Sequence, residues 1–429
     1  MKLSALYQIF LDCQLVTTDS RNCPEGSLFI ALKGESFNGN AFAGKALETG
    51  CAYAVIDEPE YAIEGDQRYI LVDDCLQTLQ QLANYHRRQL GTRVIGITGT
   101  NGKTTTKELI SAVLSQSHNI LYTLGNLNNH IGVPSTLLRL KAEHDLAVIE
   151  MGANHPGEIK FLSEIVEPDC GIITNVGKAH LEGFGSFEGV IRTKGELYDY
   201  IRRSKGKIFI KKENEYLQSI AKGIEQITYG NGDDAFASGQ VVSCDPFLVF
   251  NWKQQGKLHT VETHMIGSYN LDNVLAAVAV GRFFKIPAER ISRAIAAYEP
   301  TNNRSQFKKT ENNELIIDAY NANPSSMKVA LDNFITMPVQ PKAIILGDMR
   351  ELGPTSDELH AEVVEQIKKG QFDKVFLCGE HFSKVGKEFS PFATTEAMVE
   401  ELRKQPLKGY HILIKGSHSM GLEKLADIL

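Results

Sequence analysis

Short apolar runs alternate with longer amphipathic stretches along most of the chain. Apolar runs bounded by Gly, Pro or Asp suit buried strands, and the stretches between them suit covering helices. In residues 1–88, Gly26 to Leu32, Ala52 to Ile56 and Tyr69 to Val72 predict buried strands. Ala41 to Glu48 predicts a helix closed by Gly50, and Cys75 to Arg88 predicts a helix leading into the next unit. In residues 89–298, Val94 to Ile97, Ile120 to Leu124, Leu146 to Met151 and Gly171 to Asn175 predict a parallel sheet. Residues 236–266 break this rhythm and predict an antiparallel insertion, followed by helices over Asn270 to Phe284 and Ala288 to Tyr298. In residues 299–429 the strand–helix alternation returns, with strands at Leu315 to Asp318, Ala343 to Gly347, Lys374 to Leu377 and His411 to Ile414. This last unit reads as Rossmann-like. It has no G-x-G-x-x-G after its first strand, so it is not read as a dinucleotide site. The expected fold is α/β in three domains, 1–88, 89–298 and 299–429, and 429 residues are too many for one ordinary core.

Composition narrows the setting without changing that division. Hydrophobic residues make up 42% of the chain and charged residues 23%, as in ordinary globular proteins. A net charge of −7 argues against a broad nucleic-acid surface, although a local patch of donors still suffices for a nucleotide. Cys13, Cys23, Cys51, Cys75, Cys170, Cys244 and Cys378 form no C-x-x-C pair, which fits buried free thiols in a reducing compartment. The opening Met1-Lys2-Leu3-Ser4-Ala5-Leu6 runs into Gln8, Asp12 and Gln14, leaving no signal-peptide core. No stretch approaches the roughly 18 apolar residues of a membrane span. The expectation is a cytosolic protein, read as a monomer.

The strongest chemical signal is Gly96-Ile97-Thr98-Gly99-Thr100-Asn101-Gly102-Lys103-Thr104-Thr105. A strand enters this segment and a helix leaves it. Glycines let backbone N–H groups converge on phosphate oxygens, and the helix N-terminus adds partial positive charge. Lys103 would supply a point charge to the outer phosphates, and Thr104 a hydroxyl to Mg²⁺. Gly96 lies one residue too early for a strict G-x-x-x-x-G-K-[ST] motif. Glu150 ends a predicted strand beside this loop, where a carboxylate is placed to hold Mg²⁺, although a lone Glu there is more often a solvated loop residue.

Thr98-Gly99-Thr100-Asn101-Gly102-Lys103-Thr104-Thr105 resembles the ATP loop of the Mur ligases and their folylpolyglutamate synthase relatives. Those enzymes join a carboxylate to an amine through an acyl phosphate. The resemblance implies ATP and Mg²⁺, with Gly99, Thr100, Asn101, Gly102, Lys103, Thr104 and Thr105 around the phosphates. It implies a second metal at His180, in Thr174-Asn175-Val176-Gly177-Lys178-Ala179-His180, and a metal-binding carbamate on Lys194. The plain alternative for Lys194 is an exposed helix lysine. The segment Gly267-Ser268-Tyr269-Asn270-Leu271-Asp272-Asn273 is similar to the family's G-x-H-N-x-x-N, with Tyr269 in place of the His. It implies an adenine-side contact at Asn270. Arg304 stands where the family has an arginine that reaches the γ-phosphate, with Asn303 replacing the usual Gly. Asp318 would accept from the ribose hydroxyls, and closure of the third domain would complete the site.

Asp318-Ala319-Tyr320-Asn321-Ala322-Asn323-Pro324-Ser325-Ser326-Met327 resembles the signature of the family branch that adds D-alanyl-D-alanine to UDP-MurNAc-tripeptide. Leu346 to Gly353, Lys415 to Met420 and Gly125 to Pro134 match that branch too. The implied partners are those two small molecules. Asp19, Ser20 and Arg21 would lie on the uridine side, Asn128 and Asn129 on the peptide side, and Asn321 and Asn323 at the dipeptide. Asn38-Gly39-Asn40 replaces the family's Asp-Gly-His. An enzyme adding the third amino acid would lack the Tyr-Asn-Ala-Asn-Pro segment. A nucleotide-driven switch would need neither Glu150, His180 nor a substrate domain.

Overall fold

The computed structural model describes residues 1–301 and 303–429. Its first sheet has four parallel strands in the order Val16–Thr17, Leu28–Ile30, Tyr53–Ile56 and Tyr69–Leu71. The last of these lies at the sheet edge with Leu71 exposed, so it is less buried than its apolar run suggests. Helix Cys75–Leu90 starts where Asp74 accepts from the Gln77 N–H at 2.7 Å and stops at Gly91, whose φ is +64°. Asn84 donates to Ile165 O at 2.9 Å, and Arg87 to Val166 O at 3.0 Å. These bonds satisfy carbonyls at the end of helix Glu158–Val166 and tie the first unit to the second. A single apolar core runs from the first sheet through Leu79, Leu82 and Ala83 to Val133, Leu137 and Ile159, on helices Gly132–Leu137 and Glu158–Val166 that cover the next sheet.

The central sheet has nine strands. Arg93–Thr98 lies inside it, buried from Val94 onward, with Cys170–Ile173 on one side and Leu146–Glu150 on the other. Strands buried on both faces read as unbroken apolar runs, which is why the sequence disclosed them. Helix Leu271–Phe283 is apolar nearly all round and packs under helix Lys103–Leu114. A Cβ on Gly281 would stand 2.6 Å from Val113 Cγ1, so glycine sets how closely the two approach.

Residues 236–266 are not a detached insertion. Ala237–Cys244 pairs in parallel with Glu225–Gly230, and the antiparallel strands Phe247–Gln254 and Lys257–Ile266 extend the same sheet. The strands Lys207–Lys211 and Glu225–Gly230 that connect them to the rest escaped the sequence reading, as did Gln306–Lys309. Gln306–Lys309 is the antiparallel edge of the third sheet, whose order continues Glu314–Asp318, His411–Lys415, Lys342–Gly347 and Lys374–Cys378 in parallel.

The third unit docks on the second. Phe307 meets Phe247 edge to face at 5.5 Å, Tyr269 Oη pairs with Ser305 Oγ at 2.8 Å, and Lys178 N–H donates to Ser325 Oγ at 3.1 Å.

Candidate active site

The order of the central strands reverses at Arg93–Thr98, and an open α/β sheet binds ligands at such a switch point. Thr98 to Gly102 leaves this strand as a turn pinned from the neighbouring strand. Asn175 Oδ1 accepts from Asn101 N–H at 3.0 Å, and Thr174 Oγ1 donates to Asn101 O at 2.6 Å. Gly99 has φ +142°, and a Cβ there would meet Thr174 Oγ1 at 2.0 Å, so this close approach requires glycine. The first hydrogen bond of the helix runs from Thr106 N–H to Gly102 O at 2.8 Å. The N–H groups of Gly102, Lys103, Thr104 and Thr105 precede it, as unpaired donors at a helix start. Lys103 Nζ folds over the turn and donates to Gly99 O at 2.9 Å and Thr100 O at 3.1 Å. Withdrawal from water lowers its pKa, and the Glu150 carboxylate pulls the other way.

Glu150 ends the adjacent strand and is 1% exposed. Its Oε1 accepts from Asn128 Nδ2 at 2.9 Å and Thr104 Oγ1 at 3.2 Å, while buried Oε2 has no hydrogen-bond partner among the described residues. A buried carboxylate oxygen left without a donor, next to a hydroxyl, suits a hard cation. Lys194 is 2% exposed, so the exposed-helix alternative does not hold. Its Nζ donates to Ala153 O at 3.2 Å and lies 5.2 Å from the Phe184 ring centroid, and burial pushes its pKa down to about 7.

A cleft of about 640 Å³ separates the second and third units. The loop, Glu150, Asn128, Asn129, His180 and Asn270 line one wall, and Arg304, Asp318 and Asn321 line the other. The Arg304 guanidinium stacks on Tyr320, 3.8 Å from the ring centroid. Asp318 Oδ2 accepts from buried Lys415 at 2.5 Å. His180, at φ +50°, points Nδ1 at Glu351 across the domain boundary.

Three family models match the chain. They are described as the Mur ligase family catalytic domain over residues 12–87, the Mur ligase middle domain over 97–281 and the Mur ligase glutamate ligase domain over 303–418. The chain belongs to the Mur ligase family. A relative from Bacillus subtilis (strain 168), named UDP-N-acetylmuramoyl-tripeptide–D-alanyl-D-alanine ligase, is 36% identical over 96% of this chain and 92% of its own. An Escherichia coli (strain K12) relative of the same name is 34% identical over 96% and 93%. The crystal structure of MurF from Acinetobacter baumannii superposes with a TM-score of 0.87 at 30% identity, covering 98% of this chain and 97% of that one.

Several of the expected site residues of this Mur ligase also have partners within the protein. Asn323 is held by partners within the protein. Its Oδ1 caps helix Pro324–Thr336 by accepting from Ser326 N–H at 2.9 Å, and its Nδ2 donates to Asn101 Oδ1 at 2.8 Å. Asn129 Oδ1 accepts from Gly132 N–H at 2.9 Å, closing a turn. Asn270 donates to Ile266 O at 2.8 Å and accepts from Asn273 Nδ2 at 2.7 Å, so part of its amide is already engaged. Asp19 and Arg21 pair with each other at 2.8 Å, a contact that holds the Asp19 carboxyl down at about 2. Asp19, Ser20 and Arg21 are absent from the cleft lining. Asn38 and Asn40 brace a turn, Asn38 through Glu58 at 2.6 Å and Asn40 through Asp57 at 2.8 Å.

Sequence reasoning missed Lys415, Glu351 and Tyr320 as parts of the site. Each lies in a segment that resembles the family, but their roles depend on partners far along the chain, which those segments do not name. Asn323→Ala removes a cap worth about 1 kcal/mol and the contact to the loop. It should lower Tm by a few degrees and raise KM for ATP and for the second substrate together. A rise confined to the second substrate would restore the direct-contact reading.

Proposed function

We propose that this chain joins D-alanyl-D-alanine to UDP-MurNAc-tripeptide at the cost of ATP, giving UDP-MurNAc-pentapeptide, ADP and phosphate for peptidoglycan synthesis. One observation carries the reading. The loop with Lys103 faces Arg304 and Asp318 of the opposite domain across a single cleft, in a chain matched over nearly its whole length by relatives of that name.

In this reading residues 89–298 hold ATP. The loop N–H groups and Lys103 bind the phosphates, Arg304 meets the γ-phosphate, and Asp318 accepts from the ribose while Lys415 holds it in place. Residues 1–88 hold the uridine end through Asp19, Ser20 and Arg21, Asn128 and Asn129 face the peptide, and residues 299–429 take the dipeptide beside Asn321. Asn270 lies on the adenine side. Thr104 and Glu150 suit one Mg²⁺, and His180 with a carbamate on Lys194 a second. Bound metal would neutralise charge on the transferring phosphoryl group.

The tripeptide's terminal carboxylate attacks the γ-phosphorus and ADP leaves. The dipeptide amine then attacks the acyl carbon, loses a proton, and phosphate departs with one former carboxylate oxygen. Domain docking keeps water from the acyl phosphate. The setting is the cytosol, where ATP is available, and the active species is a monomer. No helix among the described residues is long and apolar enough to cross a membrane.

ATP turnover with UDP-MurNAc-tripeptide should require D-alanyl-D-alanine, and product mass should rise by one dipeptide residue pair. Turnover independent of both peptides would favour a nucleotide switch. Heavy oxygen placed in the tripeptide's terminal carboxylate should appear in the released phosphate. Unlabelled phosphate alongside full product would exclude the acyl phosphate.

A further inference from the structure

Lys107 lies one helical turn beyond Lys103 and is 1% exposed. It does not line the cleft, so a direct role at the phosphates does not account for it. Its ammonium stands 3.8 Å from Glu150 Oε2 and 3.8 Å from Glu108 Oε1. Glu108 is itself held by the Tyr298 hydroxyl at 2.7 Å. Glu150 presents the converse problem. Its two hydrogen bonds both go to Oε1, and Oε2 has none. Among the described residues Lys107 is the cation within 4.0 Å of that carboxylate.

A buried carboxylate with no counter-charge beside it destabilises the fold. A divalent cation at Glu150 would relieve this, but only once bound. A lysine held beneath the carboxylate relieves it at all times, and its positive charge opposes a second cation on the same group.

We propose that Lys107 is a resident counter-ion for Glu150: a positioning residue that holds the carboxylate in place without metal and weakens the affinity of the Thr104–Glu150 pair for a divalent cation. The proposal rests on the reading of that pair as metal-holding.

Thermal unfolding in a MgCl₂ titration at pH 8, without nucleotide or peptide, tests it. Wild type should show a Mg²⁺-dependent rise in Tm that Glu150→Gln abolishes. Lys107→Met should lower the metal-free Tm and move the Mg²⁺ midpoint down by about tenfold, while Lys107→Arg should keep the wild-type midpoint. Lys107→Met/Glu150→Gln should regain most of the lost metal-free stability. If Lys107→Met alone does not fold, folding of this double variant supports the counter-ion role, and its failure to fold overturns it. A wild-type rise abolished by Glu150→Gln, with the Lys107→Met midpoint unchanged, overturns the Lys107 proposal and leaves the metal reading standing. Absence of any rise in wild type overturns both.

Discussion

Lys103→Ala should reduce kcat by several orders of magnitude while Tm stays within a few degrees of wild type. The side chain contributes little to the core: its ammonium rests on two carbonyls of the loop, Gly99 O and Thr100 O. The loop itself is held by Thr174 and Asn175, so it keeps its shape without the lysine. What is lost is a cation close to phosphoryl oxygens whose charge must be stabilised as the transfer proceeds. Steady-state kinetics and a melting curve on the same preparation check both halves. Near-normal turnover would remove the loop from the mechanism.

Lys194→Ala should lose most activity, and withdrawal of CO₂ and bicarbonate should slow the wild-type enzyme. At a pKa of about 7 a large share of the amine is neutral at physiological pH. A neutral amine adds CO₂ to give a carbamate and release a proton, turning a buried cation into an anion. Lys194→Glu, which restores an anion on a shorter stem, should outperform Lys194→Ala. The same burial has a cost for the fold that runs with pH. The lowered pKa means the folded state binds this proton less readily than the unfolded state does. The destabilisation is therefore absent above the ordinary value of 10.5, grows as pH falls, and is complete below about 7. With each unit worth about 1.4 kcal/mol, Lys194→Met should stabilise the unmodified protein by up to a few kcal/mol near pH 6. The variant would be more stable and inactive, a combination that a surface lysine would not give. Full activity in Lys194→Ala would end the carbamate reading.

The loop from Gly96 to Thr105 was legible because phosphate binding fixes residue types within one turn of chain. Glu150 was legible because an apolar run announces the strand that delivers it. The burial of Lys194 and Lys107 is not part of the sequence reading, although Val190, Thr193, Leu197 and Ile201 set a helical stripe around the first and Ile110 and Leu114 one around the second. Partnerships across the chain were not readable. Nothing in the vicinity of His180 announces Glu351, and nothing beside Asp318 announces Lys415. Asn323 marks another limit. The motif alone points its amide at a ligand, while Asn-Pro at a helix start also lets it cap the backbone. For residues 236–266, alternation disclosed antiparallel pairing but could not disclose which edge the strands would join.

The helix Cys75–Leu90 has a consequence for how the molecule comes apart. It gives the first sheet and one face of the central sheet a common interior, while the third sheet is packed mainly between its own apolar layers. The three larger sheets therefore amount to two cooperative units. Calorimetry should resolve one large transition for the first two units together and a separate one for residues 299–429. A fragment beginning at residue 89 would present Val133, Leu137 and Ile159 to water and aggregate, whereas the C-terminal unit is the part that can detach and re-dock intact.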